Sequence, residues 1–426
     1  METILYFSTF EDRESKFREN VHFLFPRKYS GPTVFWKDML EAVSNISSLS
    51  SETIAYMTSN PKDCLSYNFV DDLLNATKLL LPKYKRNKLL NEVIEKYSLS
   101  SLQGRNICTL SGGEVVRLAL AKNDLLSEIA DKAILSSPLT WLSSASHKYY
   151  RNFLSTYDKM KKEILVLCME GENSDDSLDV AIDFKEEINF KIIFNNLKIK
   201  LSWDILNDGS NQEVWAQVAD NELSLISPCW ITGDNGSGKS LIAKSLSRSI
   251  HCKGDAKIQN QGYLGRARLL FQDIILQAML RPFSVLVACS DSASEKDIKR
   301  EYQKLVCNFQ SYFTTQSKET PYIGERNSKI YTLLEYKFML VAVRLATHPI
   351  ALILDEPDWG LAKETAVAFV KAVIESAHEA HIPIIFISHK KWWDNIAKSK
   401  LILSKLVIDQ VIDNKKMKYK FLVSAN

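Results

Sequence analysis

Absences narrow this chain before any motif does. Its seven cysteines are scattered singly, with no CxxC pair. That argues against a zinc module, an iron–sulfur cluster or a disulfide framework, and it fits a reducing cytoplasm. The longest apolar runs (ELSLISPCWITG, PIALILDE, IPIIFISH) are of strand length, far short of the ~18 residues that span a bilayer. The stretch METILYFSTFEDRESK has no basic region followed by an apolar core, so no secretory signal is expected. Charge of one sign is missing too. Lys and Arg number 54 against 51 Asp and Glu, a net +3, which creates no global field for nucleic acid or anionic lipid. The short basic stretches PKYKRNK (82–88) and NKKMKYK (414–420) are expected to be solvated faces or tails.

What is present suffices for folding. A length of 426 residues, 46% of them hydrophobic, corresponds to two or three domains with sizeable cores. The expectation is a soluble cytoplasmic protein. If it works at a membrane, a partner supplies the spanning helices.

The clearest motif is CWITGDNGSGKSLIAKSLSRSI (229–250). Within it Gly233, Asp234, Asn235, Gly236, Ser237, Gly238, Lys239 and Ser240 fit G-x-x-x-x-G-K-[ST], the phosphate-binding loop. An apolar strand, Leu223 to Ile231, precedes the loop, and a helix follows with Ile242, Leu246 and Ile250 on one face. Glycines let backbone N–H groups close around phosphates, and the helix N-terminus adds partial positive charge. Lys239 is expected to reach the β- and γ-phosphates of ATP and Ser240 to ligate Mg²⁺. Further on, IALILDEP (350–357) predicts a buried strand ending in Asp355, which would hold Mg²⁺, and Glu356, which would polarise the attacking water. IPIIFISH (382–389) predicts another strand, ending in His389. LLFQD (269–273) offers Gln272.

Ordered as loop, Gln, Asp-Glu, His, this set resembles the nucleotide-binding domain of ATP-binding-cassette (ABC) ATPases over most of 188–405. The resemblance implies that Gln272 contacts the metal and water and that His389 steadies the γ-phosphate. It also implies an aromatic that stacks on adenine; Phe194, Trp203 and Trp215 are candidates between which the sequence does not choose. The signature position of this half reads YTLLE (331–335), with Thr332, Leu333 and Leu334 in place of Ser and two glycines. Leucines there would block close approach of a phosphate to the backbone. Ala362 stands where the family usually places an Asp.

The N-terminal half follows the same plan with complementary losses. LSGGEVVRLALA (110–121) resembles the intact ABC signature. Locally, Ser111 and Glu114 also have the spacing of a helix capping box. The other motifs have decayed. FPRKYSGPT (25–33) puts Gly31 at the lysine position and Pro32 at the Ser/Thr position. ETIAYMTSNPKDCLS (52–66) resembles the Q-loop of energy-coupling-factor and cobalt-type transporter ATPases, with Ser59 at the Gln position. AILSSP (133–138) puts Ser136 and Ser137 at the carboxylates, and EILVLCME (163–170) puts Glu170 at the switch His.

In the ABC family each ATP lies between one cassette's phosphate loop and the other's signature. The resemblance therefore implies one working composite site, in which Ser111, Gly112 and Gly113 grip the γ-phosphate held by Lys239, and one dead site. The expected fold is α/β: two tandem P-loop ABC nucleotide-binding domains packed head to tail. The expected domains are 1–172, a degenerate cassette; 173–187, an acidic linker; and 188–426, a cassette with intact motifs. Neither the long charged helical linker of translation-associated tandem ABC ATPases nor the cysteine-rich N-terminus of the ribosome-recycling type is visible. Two functions follow. One is the ATP-hydrolysing subunit of an ABC transporter of the energy-coupling-factor or cobalt type, peripheral on the inner face of the cell membrane and coupled to membrane-spanning subunits. The other is a soluble tandem ABC ATPase that remodels a cytosolic protein or nucleoprotein complex. A non-hydrolysing ATP sensor is disfavoured by Glu356 and His389 standing together.

Overall fold

The structure is a computed structural model that describes residues 7–8, 21–26, 53–57, 61–107, 110–136, 142, 146–167, 186–201, 214–233, 237–272, 274–278, 283–288, 290, 293–315, 333–361, 363–389, 391–411 and 416–425. These fall into two units, one holding the described residues from 7 to 167 and the other those from 186 to 425.

The first unit contains strands β1 (Phe7–Ser8), β2 (Val21–Pro26), β3 (Ile54–Met57), β4 (Lys132–Ser136) and β5 (Glu163–Leu167). They form one sheet in the order β1-β2-β5-β4-β3, parallel from β2 onward. Among the described residues, helices α1 (Val70–Leu80), α2 (Arg86–Lys96), α3 (Gly112–Leu126) and α4 (His147–Lys159) accompany it. Helix α3 is buried along most of its length through Val115, Val116, Leu118, Ala119 and Leu120. One buried carboxylate, Asp124, ties it to its neighbours: Lys96 Nζ lies 2.5 Å from it and the Tyr97 hydroxyl donates to it at 2.7 Å.

The second unit adds β6 (Ile188–Leu201), β7 (Val214–Val218), β8 (Asn221–Ser227), β9 (Cys229–Thr232), β10 (Cys252–Asn260), β11 (Tyr263–Gly265), β12 (Arg268–Leu270), β13 (Leu352–Asp355), β14 (Ile384–Ile387), β15 (Ser399–Val411) and β16 (Lys416–Ala425). They form one sheet in the order β11-β10-β6-β7-β16-β15-β9-β14-β13-β12, with β8 paired to β6. Its helices among the described residues are α5 (Lys239–Leu246), α6 (Ile274–Ala278), α7 (Phe283–Ala288), α8 (Glu295–Thr315), α9 (Leu333–Leu345) and α10 (Lys363–Glu379).

The parallel strands β9, β14, β13 and β12 are apolar because both sheet faces are covered; every residue of β13 and β14 is buried. The expected strand Leu223–Ile231 is two strands, split at Pro228. Proline has no N–H to donate to a ladder, and the chain changes partners there. β8 runs antiparallel to β6, whereas β9 runs parallel to β14 and β15. Ile250 lies beyond the end of α5 and packs, half-buried, against the same core as Ile242 and Leu246.

Helix α8 is amphipathic, burying Ile298, Leu305, Phe309 and Phe313. Its apolar face is spent inside the unit. Phe309 stacks edge-on against Phe338 of α9 at 5.3 Å between centroids, and Phe338 against Phe369 of α10 at 5.1 Å. No helix among the described residues is long and apolar enough to cross a membrane.

The strand order β2-β5-β4-β3 in the first unit repeats β9-β14-β13-β12 in the second. Strand pairing allows the two to be aligned without reference to motifs. Ser136 pairs with Leu167 as Asp355 pairs with Ile387, which puts Ser136 at the Asp355 position, as expected. Met57 then matches Leu270. In the same way Leu24 matches Ile231 and Leu167 matches Ile387. Gly31, Pro32, Thr33, Ser59, Ser137, Met169 and Glu170 themselves lie outside the described residues.

Candidate active site

The site is assembled at the C-terminal ends of parallel strands, where open α/β sheets bind ligands. Strand β9 delivers Gly233, whose φ of +149° is left to glycine. A Cβ there would lie 2.4 Å from the Leu403 carbonyl oxygen on β15, so the loop starts in a cradle that admits no side chain. Gly238, at φ +95°, precedes helix α5 directly. Asp234, Asn235 and Gly236 lie outside the described residues.

Lys239, the first residue of α5, is buried, and its Nζ donates to the Gly233 carbonyl at 2.8 Å. The amine therefore lies folded back across the loop that the motif predicts. Ser237 is buried as well, and its hydroxyl has no hydrogen-bond partner among the described residues. A buried polar atom of this kind, beside an amine and a helix N-terminus, suits a phosphate oxygen.

Strand β13 carries Asp355 to the same place. The Ser240 hydroxyl donates to Asp355 Oδ1 at 3.1 Å. Burial pushes the Asp355 carboxyl up to about 6, against the opposing pull of the Ser240 hydrogen bond and of Lys244 and Lys239. A hydroxyl and a carboxylate are hard oxygen donors that fit Mg²⁺ completed by water and phosphate oxygens.

Glu356 follows at the strand end. It is buried, its N–H is held by the Ile387 carbonyl at 2.9 Å, and its backbone adopts φ +49°. A left-handed conformation outside glycine costs roughly 1–2 kcal/mol, and here it turns the side chain out of the strand path. His389, two residues past β14, places Nε2 3.2 Å from Glu356 Oε1. The structure thus brings together Gly233, Ser237, Gly238, Lys239, Ser240 and Asp355, and pairs Glu356 with His389. Gln272 lies half-buried just after β12.

Three residues that pattern reading passed over support these turns. Gln277 of α6 accepts from Phe271 N at 3.1 Å and donates to the Leu269 carbonyl at 3.3 Å, holding the turn that bears Gln272. Arg344 of α9 donates to Leu269 O at 2.9 Å. Lys337, also of α9, is buried and donates to the carbonyls of Pro357 and Trp359. An isolated Gln, Arg or Lys inside an apolar pattern is the available signal, and it names no partner.

Of the adenine candidates, Phe194 is fully buried in β6 and cannot stack on a ligand, which corrects that expectation. Trp203 lies outside the described residues. Trp215 on β7 is half-buried, with Lys253 Nζ 4.5 Å from its ring centroid and His251 at 5.8 Å.

In the first unit, Ser111 caps α3. Its N–H donates to Glu114 Oε2 at 2.8 Å, and Glu114 N donates to its hydroxyl at 3.4 Å, so the capping box is present. Burial pushes the Glu114 carboxyl up, but Arg105 at 3.1 Å and the Ser111 bonds outweigh it and hold it below the usual range. Gly112 and Gly113 form the first turn of the helix. The Arg117 guanidinium lies 5.4 Å from the centroid of the Tyr149 ring on α4. At the equivalent place in the second unit, α9 starts at Leu333, and Leu333, Leu334 and Glu335 are all buried. The two leucines are core residues of their own unit. Thr332 and Ala362 lie outside the described residues.

No protein-family model and no curated protein sequence matches the chain. Solved structures do. An RNase-L inhibitor is similar over 94% of this chain and 88% of its own, at TM-score 0.50 and 13% identity. A chain in a model of ribosome-bound archaeal Pelota and ABCE1 is similar over 94% of this chain and 76% of its own, at TM-score 0.55 and 13% identity. The archaeal ribosome recycling factor aABCE1, in complex with the stalk protein aP1, matches over 93% and 87%, at TM-score 0.50 and 13% identity. The fold is accordingly α/β, with two tandem P-loop cassettes of the ABC type.

Proposed function

We propose that the chain is an ABC-type ATPase with a single working site, hydrolysing ATP to ADP and phosphate with Mg²⁺. The observation that carries this reading is the convergence of Lys239, Ser240, Asp355, Glu356 and His389, with Ser240 at 3.1 Å from Asp355 and His389 at 3.2 Å from Glu356.

In this reading the loop from Gly233 to Ser240 holds the phosphates, with Lys239 exchanging the Gly233 carbonyl for phosphate oxygen. Ser240, Asp355 and Gln272 would hold Mg²⁺, which when bound would supply positive charge against the phosphates. Glu356 accepts the proton of the attacking water, and His389 keeps that carboxylate oriented while contacting the γ-phosphate. The first unit has no lysine or carboxylate at the matching positions and does not hydrolyse. Its contribution is Ser111, Gly112 and Gly113 at the start of α3, acting on the nucleotide bound by the second unit. Support for that division is the complementary loss: one unit keeps the loop and buries leucines where the other keeps two glycines.

What the ATPase drives admits two readings. As the subunit of an ABC transporter, it would take its spanning helices from membrane partners and sit peripherally on the membrane; the Q-loop resemblance to energy-coupling-factor ATPases supports it. As a soluble remodelling ATPase of a protein or nucleoprotein complex, it would need no such partner. The second reading is favoured by likeness, along 94% and 93% of the chain, to a chain in a model of ribosome-bound archaeal Pelota and ABCE1 and to the archaeal ribosome recycling factor aABCE1. Purification of Glu356→Gln with ATP in mild detergent tests both. Recovery of a multi-span membrane protein supports transport, and recovery of ribosomes or soluble enzymes alone sinks it. Absence of ATP turnover in the native protein, with and without those partners, would overturn the ATPase reading itself.

A further inference from the structure

Helix α9 begins where the second unit has lost its signature, yet it is buried along almost its whole length, from Leu333 to Ala342 and again at Leu345. A helix that only filled space would need no cations. This one carries two, seven residues apart and so on one face, and each is spent on backbone carbonyls at the mouth of a parallel strand. Arg344 donates to Leu269 O on β12, the strand leading to Gln272. Lys337, 1% exposed, donates to the carbonyl oxygens of Pro357 and Trp359, the latter at 2.8 Å. Those carbonyls belong to the turn immediately after Glu356.

That turn is also held by its own backbone. Trp359 N donates to Glu356 O at 3.0 Å and Leu361 N to Asp358 O at 3.1 Å, while Glu356 and Gly360 both take positive φ, +49° and +72°. Two carbonyls pointing into the core need donors, and a single ammonium meets both. A buried lysine is an expensive donor: burial pulls its pKa from 10.5 to about 7, with Asp358 and Glu356 opposing the fall. An apolar residue would pack the same volume more cheaply.

We propose that Lys337 is a positioning residue for ATP hydrolysis, setting the 357–359 turn so that Glu356 is presented at its working angle beside His389. The inference rests on the ATPase reading above. Lys337 touches neither nucleotide nor metal ligand side chains in this scheme; it acts through Glu356.

The test is a double-mutant cycle in the full chain, measuring steady-state and single-turnover hydrolysis together with ATP affinity. Lys337→Met keeps the stem and removes the donors. It is expected to lower kcat about 30-fold or more while ATP affinity and KM stay within about threefold, and to have almost no further effect in a Glu356→Gln background. Lys337→Gln, which restores one amide donor, is expected to fall between Met and the native protein, and it carries the same cycle if the Met variant does not fold. Equal losses in both backgrounds, parallel losses in affinity, or unchanged turnover in a folded variant would each overturn the proposal. If Lys239→Ala and Glu356→Gln also leave turnover unchanged, the ATPase reading fails first.

Discussion

The Ser240 hydroxyl, from the first turn of α5, donates to Asp355 Oδ1 at the end of β13 across 3.1 Å, joining residues 115 apart in the chain. One comes from the phosphate loop and the other from a buried strand, and their meeting defines where a divalent cation would be held. Ser240→Ala removes one oxygen donor and leaves the fold's apolar packing intact. Turnover is expected to fall about 10–100-fold, with a matching rise in the Mg²⁺ concentration needed for half-maximal activity. Magnesium titration of the two proteins checks this; an unchanged Mg²⁺ requirement would remove Ser240 from the metal site.

The Asp355 carboxyl is pushed up from 3.8 to about 6, chiefly by burial. A folded-state pKa above the unfolded one means that the folded form holds the proton more tightly. Its contribution is therefore favourable below about pH 4 and lost as pH rises through about 6. Two pK units correspond to about 3 kcal/mol at most. Asp355→Asn is expected to stabilise the nucleotide-free protein near pH 7.5 but not near pH 4, while abolishing Mg²⁺-dependent turnover. Thermal unfolding of both proteins across that range decides it, and a stabilisation independent of pH would contradict the assignment.

Glu356→Gln keeps the side chain's volume and removes its basicity. Loss of a general base reduces turnover by about 10²–10⁴-fold, with ATP affinity retained. Near-native turnover in this variant would mean that another group takes the proton.

Ser111 has a local role as N-cap and a proposed role toward phosphate, and one substitution separates them. Aspartate caps a helix as well as serine does, whereas alanine loses about 1 kcal/mol. Ser111→Asp is expected to keep the thermal midpoint while cutting turnover, because a carboxylate would oppose phosphate. Should Ser111→Asp hydrolyse ATP at the native rate, the signature segment acts only as a cap.

Leu333 and Leu334 are 3% and 0% exposed. Replacing both with glycine restores the family's residue types but empties the core. Each buried leucine truncated loses about 2–5 kcal/mol, so the double variant is expected to be destabilised strongly, with no new turnover. Calorimetry and an ATPase assay in the Glu356→Gln background, which silences the second unit's own chemistry, distinguish loss of packing from gain of a site.

Much of the site was legible in the chain because its chemistry demands residue types at short fixed spacings. A loop that must present backbone N–H groups to phosphate specifies Gly233, Gly238, Lys239 and Ser240 within eight residues, and an apolar run ending in two carboxylates specifies β13 and its end. The Ser111–Glu114 box was likewise local, being a contact between residues three apart. Decayed motifs were less secure. With no lysine or histidine to anchor it, the first unit's register against the second is fixed only where β2, β5 and β4 pair.

The sequence by itself determined the residue types of the phosphate loop, the carboxylate pair and the signature, because each is written in a contiguous stretch. Tertiary structure alone decided which distant groups meet. Ser240 finds Asp355, His389 finds Glu356, and Lys337 finds the carbonyls of Pro357 and Trp359. Those partners are chosen by the order β9-β14-β13-β12 and by the packing of α9 beneath it. The physical reason is that a parallel sheet brings separate strand ends side by side, and a single sequence carries no record of which ends will be neighbours.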